Sequence, residues 1–385
     1  MQFSTQNSNN TSLKSLVPER RWLRLEHLND LWAFVGNHED FQIESIGHSE
    51  EGRDLKVILW GKGPKRIFAW TQMHGNEPTA TLACADLLQD LVSDPELMAL
   101  ESKIEVALVL MLNPDGAERF QRRNALGIDL NRDAVARCSA EIKAYFNFLE
   151  AFKPQWAFNL HDQRNIFSAG ASEHCATLSF LAPSADEERS IRLERKVSMQ
   201  MIAAIHQKLE DSLSGHFGRY SDEFYPRALG DNLMKLGIPN VLFEAGHFPG
   251  DRFRRKAREL NYRGLKEALH LVATDAWELV DPALYHLIPE NKSHLRDLIF
   301  RDLQFGNCRL DLALMEQEVP NKESGELEIK FRIDDIGDLS HLHGIQEYKG
   351  GILAFEGDFN QDALANGRIQ SEREFVFKHG YLQEH

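Results

Sequence analysis

The sequence predicts an α/β fold: a mainly parallel mixed sheet with helices on both faces, followed by a small, mainly β C-terminal domain. Three observations lead there. Between residues 65 and 271, short apolar runs alternate with segments of helical spacing, as in successive strand–helix units of a parallel sheet. At 385 residues the chain is long enough for more than one domain. Beyond a connection containing Pro282 and Pro289, the pattern changes to alternating runs rich in β-branched residues. The expected organisation is a disordered tail over 1–13, an α/β domain over 14–275 and a small β domain over 276–385.

Taken in order, residues 25–35 carry Leu25, Leu28, Leu31, Trp32 and Val35 at helical spacing. Strands are expected over 41–46 and 55–60, joined by the turn-like HSEEGRD. The run KRIFAWTQ reads as a strand, 79–92 as a helix, EVALVLML as a strand, 141–152 as a helix and QWAFNL as a strand. A long helix is expected over 186–213, a strand over 240–244 and a helix over 253–271. After Pro289 a charged, helix-like stretch leads to RLDLALME, ELEIKFRID and GGILAFEG, which read as strands. No repeat of solenoid length is visible.

Composition narrows the function. Hydrophobic residues make up 42% and charged residues 27%, an ordinary globular balance. A formal charge of −15 would repel a polyanion, so no nucleic-acid partner is expected. The sequence offers no apolar run of bilayer length and its first residues are polar, so neither a membrane partner nor a signal peptide is expected and the anticipated location is cytoplasmic. Cys84, Cys138, Cys175 and Cys308 form no CxxC pair and read as buried free thiols. The histidines are the better candidates for metal ligation.

Chemistry gathers at the carboxyl ends of the expected strands, where open parallel sheets bind ligands. KRIFAWTQ runs into MHGNEPTA, placing His74 and Glu77 at a strand-to-helix junction with Pro78 at the helix start. EVALVLML ends in the turn signal NPDG, QWAFNL ends in His161 and NVLFEA carries Glu244. An isolated His-x-x-Glu is common by chance. With His161, however, it makes a set of two imidazoles and a carboxylate, which suits catalytic zinc because a fourth position stays open for water. Glu244 is the candidate base. The donor-rich QRRNALGIDLNRD offers arginines that could bind a substrate carboxylate through paired hydrogen bonds or stabilise an oxyanion. Asp162, directly after His161, could orient a ligand or sit as an ordinary surface acid.

The pieces HSEEGRD, HGNE, NPDG, RRNALGIDLNR, NLHD and FEAG, in that order over roughly residues 46–247, resemble the zinc carboxypeptidase family (carboxypeptidase A-like metallopeptidases). The resemblance implies a zinc-carboxypeptidase-like fold and one Zn²⁺ ion held by His74, Glu77 and His161. It implies that Asn131 and Arg132 grip a terminal carboxylate, that Glu244 is the general base and that Arg122 stabilises the oxyanion, with Arg123 adjacent to it. A tyrosine near the base is also implied, for which Tyr220 and Tyr225 are the candidates. The expected partner is a peptide with a free carboxylate. The short interval from Glu77 to His161 and the small β domain are also similar to the aspartoacylase and succinylglutamate desuccinylase branch, so an N-acyl amino acid deacylase is the alternative. A non-catalytic binding protein of this fold is the third reading. Oligomeric state is not legible.

Overall fold

A computed structural model describes residues 16–357 and 359–383. The segment 1–13, read as a tail, lies outside the described residues. The first sheet has eight strands: β1 (Phe41–His48), β2 (Asp54–Gly61), β3 (Lys65–Trp70), β4 (Ile104–Val109), β5 (Trp156–Asp162), β6 (Leu178–Leu181), β7 (Phe217–Arg219) and β8 (Asn240–Ala245). Their spatial order is β1-β2-β4-β3-β5-β8-β6-β7. The central run β4-β3-β5-β8 is parallel throughout. Antiparallel pairing enters at β1/β2, β2/β4 and β6/β8. The four strands whose ends were expected to carry the chemistry are therefore adjacent and point the same way.

The helices are α1 (Asn29–Asn37), α2 (Thr79–Asp90), α3 (Pro95–Met98), α4 (Pro114–Glu118), α5 (Ala140–Phe152), α6 (Leu193–Leu209), α7 (Leu229–Lys235) and α8 (Arg255–Thr274). They cover both sheet faces, and strand residues alternate between two cores as the pleat requires. In β3, Ile67 and Ala69 join the core under α2, α6 and α8, whereas Phe68 and Trp70 join the core under α5 and α7. Burial on both faces explains why these strands read as nearly continuous apolar runs.

Three expectations on element type or extent differ from the structure. The helix anticipated over 186–213 begins only at Leu193, because Arg189 adopts a left-handed φ of 55° and Asp186 accepts the Ser190 amide to form a turn. It gives way at its far end to a 3-10 turn over Glu210–Ser212. NPDG, read as a turn, is the short helix α4, capped by Asn113 and opened by Pro114. The helix-like stretch after Pro289 is instead a strand, β9 (Leu295–Phe305), where sheet pairing and burial of Leu298, Phe300 and Leu303 override local composition.

That strand opens the second sheet, with β10 (Cys308–Asn321), β11 (Glu326–Gly337), β12 (His343–Lys349), β13 (Ile352–Phe355), β14 (Gly367–Gln370), β15 (Glu374–Lys378) and β16 (Tyr381–Gln383). Its order is β11-β10-β9-β13-β14-β15-β16, with β12 also on β9, and its own core includes Phe300, Leu314, Phe331 and Phe375. No helix among the described residues is long and apolar enough to cross a membrane. All four cysteines are free, but only Cys84 and Cys175 are buried as expected; Cys138 and Cys308 are exposed.

Candidate active site

The segment after β3 crosses tightly over the segment after β4. A Cβ on Gly75 would lie 2.1 Å from the backbone of Ala117 and of Gly116, so the HGNE turn tolerates only glycine there. Asn113 pins the crossing. Its carboxamide oxygen accepts the Gly116 amide at 2.8 Å, and its nitrogen donates to the carbonyls of Met73 and Arg122, both at 3.2 Å. Asp115 in turn accepts the Ser49 hydroxyl at 2.7 Å, the Glu51 amide at 3.0 Å and the Arg53 guanidinium at 2.5 Å. HSEEGRD is thus a clasp on NPDG, which holds the chain on either side of His74.

Strand ends then bring the candidate metal ligands together. His161 and Glu244 are register partners on β5 and β8. His74 Nδ1 lies 2.8 Å from Glu77 Oε1, His161 Nδ1 lies 2.8 Å from Glu77 Oε2, and the two Nδ1 atoms are 3.2 Å apart. All three residues are buried, and their ligand atoms fall within 4.8 Å of one another. His74 Nε2 faces Asp129 Oδ1 at 3.2 Å, which assigns the proton to Nε2 and turns the Nδ1 lone pair inward. Two inward nitrogens around a carboxylate form a donor set that fits a zinc ion.

Electrostatics agree with a site built for a cation. Burial alone would raise the Glu77 carboxyl, but the charges and hydrogen bonds of His74 and His161 hold it below the usual range. The Arg122 guanidinium leans on the same atoms, 3.1 Å from His74 Nδ1 and 3.5 Å from Glu77 Oε1, while its Nε donates to Asp129 at 3.0 Å. Arg123 turns to the surface and donates to the Gly127 carbonyl. Burial first, then repulsion from Glu77 and Asp162, pushes the Glu244 carboxyl well above its ordinary value. Its Oε2 is buried and has no hydrogen-bond partner among the described residues.

A cleft of about 850 Å³ joins these groups to the other candidates. Asn131 and Arg132 line it; Asn131 Oδ1 caps the Leu229 amide at 3.0 Å, and the Arg132 guanidinium rests over the Tyr225 ring at 5.3 Å. Tyr220 and Tyr225 both line the cleft. Tyr220 is packed against Phe167, whereas Tyr225 is exposed and hydrogen-bonds Glu223. Asp231, nearby, accepts the Tyr225 amide, and burial pushes its carboxyl up to about 6.

Several residues at or behind the cleft wall were not anticipated. Asp129 lies inside the quoted RRNALGIDLNR motif, where it is the lone acid, so its role as a histidine partner was open to inference. Arg21 and Arg254 gave no signal, since their partner Asp162 lies far away in sequence. Met315, Glu316, Gln317 and Glu318 of β10 also line the cleft, although that strand belongs to the second sheet.

Comparison with known proteins places this geometry. Residues 30–217 match the zinc carboxypeptidase family model, which leaves Glu244 and the second sheet outside the matched stretch. Carboxypeptidase 2 of Trichophyton tonsurans is 31% identical over 133 residues, 32% of this chain and 24% of the relative. Carboxypeptidase M of Mus musculus is 33% identical over 111 residues, 24% of this chain and 25% of the relative. The chain thus spans about a quarter of the length of the curated relatives it matches. A metallo-carboxypeptidase structure from Burkholderia cenocepacia superposes with a TM-score of 0.52 at 18% identity, over 65% of this chain and 69% of that one, and so shares the fold. Residues 30–217 of this chain thus match a zinc carboxypeptidase domain, and the α/β part has the fold of a metallo-carboxypeptidase.

Proposed function

We propose that the chain is a zinc-dependent metallocarboxypeptidase that hydrolyses the last peptide bond of peptides with a free terminal carboxylate. The observation that carries this reading is a single cleft holding the His74–Glu77–His161 triad, the Glu244 carboxylate, whose Oε2 has no hydrogen-bond partner among the described residues, and Arg122, Asn131 and Arg132. When bound to the triad, one zinc ion supplies a Lewis acid for the scissile carbonyl, acidifies a water molecule and brings positive charge that lowers the Glu244 pKa.

The chain's own groups divide the remaining work. Arg132, held over Tyr225, and Asn131 bind the terminal carboxylate and so fix which peptide bond reaches the triad. Glu244 accepts a proton from the attacking water and returns it to the leaving amine. Arg122 donates to the oxygen that gains charge as the carbonyl becomes tetrahedral. Asp129 keeps His74 in the tautomer whose Nδ1 faces the triad.

The test is to incubate zinc-loaded protein with free-terminus peptides, amidated peptides and N-acyl amino acids, and to read products by mass spectrometry. Release of one residue from free-terminus peptides alone is the expected result. Cleavage of N-acyl amino acids alone would replace this reading with a deacylase, the second reading, which is favoured by the second sheet's share in the cleft wall. Zinc binding without cleavage of any substrate would leave a binding protein.

A further inference from the structure

The wall of the cleft that β10 and β11 supply is anchored to the triad itself. The buried Arg21 guanidinium donates to Asp162 Oδ2 at 2.8 Å and to Thr79 Oγ1 at 3.0 Å, and its other nitrogens reach the Glu318 carboxylate at 3.2 and 3.3 Å. Asp162 follows His161, and its amide donates to Glu77 Oε2 at 3.2 Å. One chain of polar contacts thus runs from the metal triad to β10. Further ties hold the strands in place: Arg252 donates to the Leu327 carbonyl at 2.9 Å, Asn165 donates to Asp297 at 3.1 Å, and Arg20 pairs with Glu326. Met315 through Glu318 and Ile329 therefore face the cleft from a fixed position.

The proposed carboxylate grip meets the triad elsewhere. Asn131 and Arg132 connect through Asp129 to His74, whereas Arg21 connects through Asp162 to Glu77. Among the described residues no direct hydrogen bond or ion pair is found between Asn131 or Arg132 and Arg21 or Asp162. The cleft that holds Arg132 and the triad is also walled by Met315 to Glu318 and Ile329, so a peptide bound there shares its space with the second sheet. About 850 Å³ must then hold the terminal side chain, the scissile bond and everything before it, a volume in the range of small-molecule pockets.

We propose that the β10–β11 wall closes the acyl side of the cleft and restricts the substrate to short peptides of about two or three residues, to the exclusion of extended polypeptide termini. This rests on the carboxypeptidase reading. Arg21 is a positioning residue, which keeps the wall in register with the triad without touching the reacting atoms.

The experiment is kcat/KM of the zinc-loaded full chain over peptides with a common C-terminal dipeptide, from the dipeptide to a decapeptide. A fall of at least about tenfold between tripeptide and decapeptide is expected. Ile329→Ala and Met315→Ala, which shorten the wall without touching its ionic ties, should raise the decapeptide-to-dipeptide ratio. Arg21→Met should raise it as well where thermal unfolding shows a folded protein. Equal kcat/KM across the series, or a ratio that the wall variants leave unchanged, would overturn the proposal. Failure to cleave any free-terminus peptide would instead overturn the carboxypeptidase reading beneath it.

Discussion

Glu244 sits where ionisation is both costly and useful. Burial and the neighbouring acids oppose its charge, and among the described residues its Oε2 has no hydrogen-bond partner. Glu244→Gln keeps the shape and removes the proton acceptor, so zinc stoichiometry should stay at the wild-type value while kcat falls by about 10²–10⁴. Atomic absorption and steady-state kinetics on a cleaved peptide check the two halves separately, and a wild-type kcat would strip Glu244 of its role. Its place was legible in the sequence for a simple reason: like His74 and His161, it ends or follows a run of apolar strand residues. Asp129 and Arg21 were harder to find, because their roles depend on partners that only the fold brings near.

At the scale of elements, the crossing of the two strand-end segments sets the position of His74. The prospective Cβ of Gly75 meets backbone atoms, which cannot rotate away as a side chain could. Gly75→Ala should therefore cost about 3 kcal/mol or more and displace the first ligand. Urea unfolding and zinc content measure this, and a wild-type midpoint with full zinc would show that the crossing is softer than its geometry. Elements buried on two faces were readable from hydrophobicity. Two stretches misled: the start of 186–213 and the charged stretch after Pro289 both read as helix, but the first is broken by a left-handed Arg189 and the second is held as a strand, β9, by neighbours on both sides.

At the scale of the molecule, two sheets with separate cores share one cleft. The α/β class and the β character of the C-terminal region were visible in periodicity, which reports each element's own burial. The shared wall was not, since alternation in RLDLALME says which residues of β10 face the same way but not what they face.

Arg21 and Glu318 are 297 residues apart along the chain. Closing so long an interval is entropically expensive, and contacts of large sequence separation tend to form late. On refolding, the α/β sheet should therefore recover first and pass through a stage in which the triad is assembled but the far wall is not yet docked. Capacity for long peptides would then appear transiently and decline as folding completes, so that choosiness is the last property acquired. Sampling decapeptide and dipeptide cleavage during refolding would reveal that order, and a constant ratio from the first turnover onward would show that wall and triad form together.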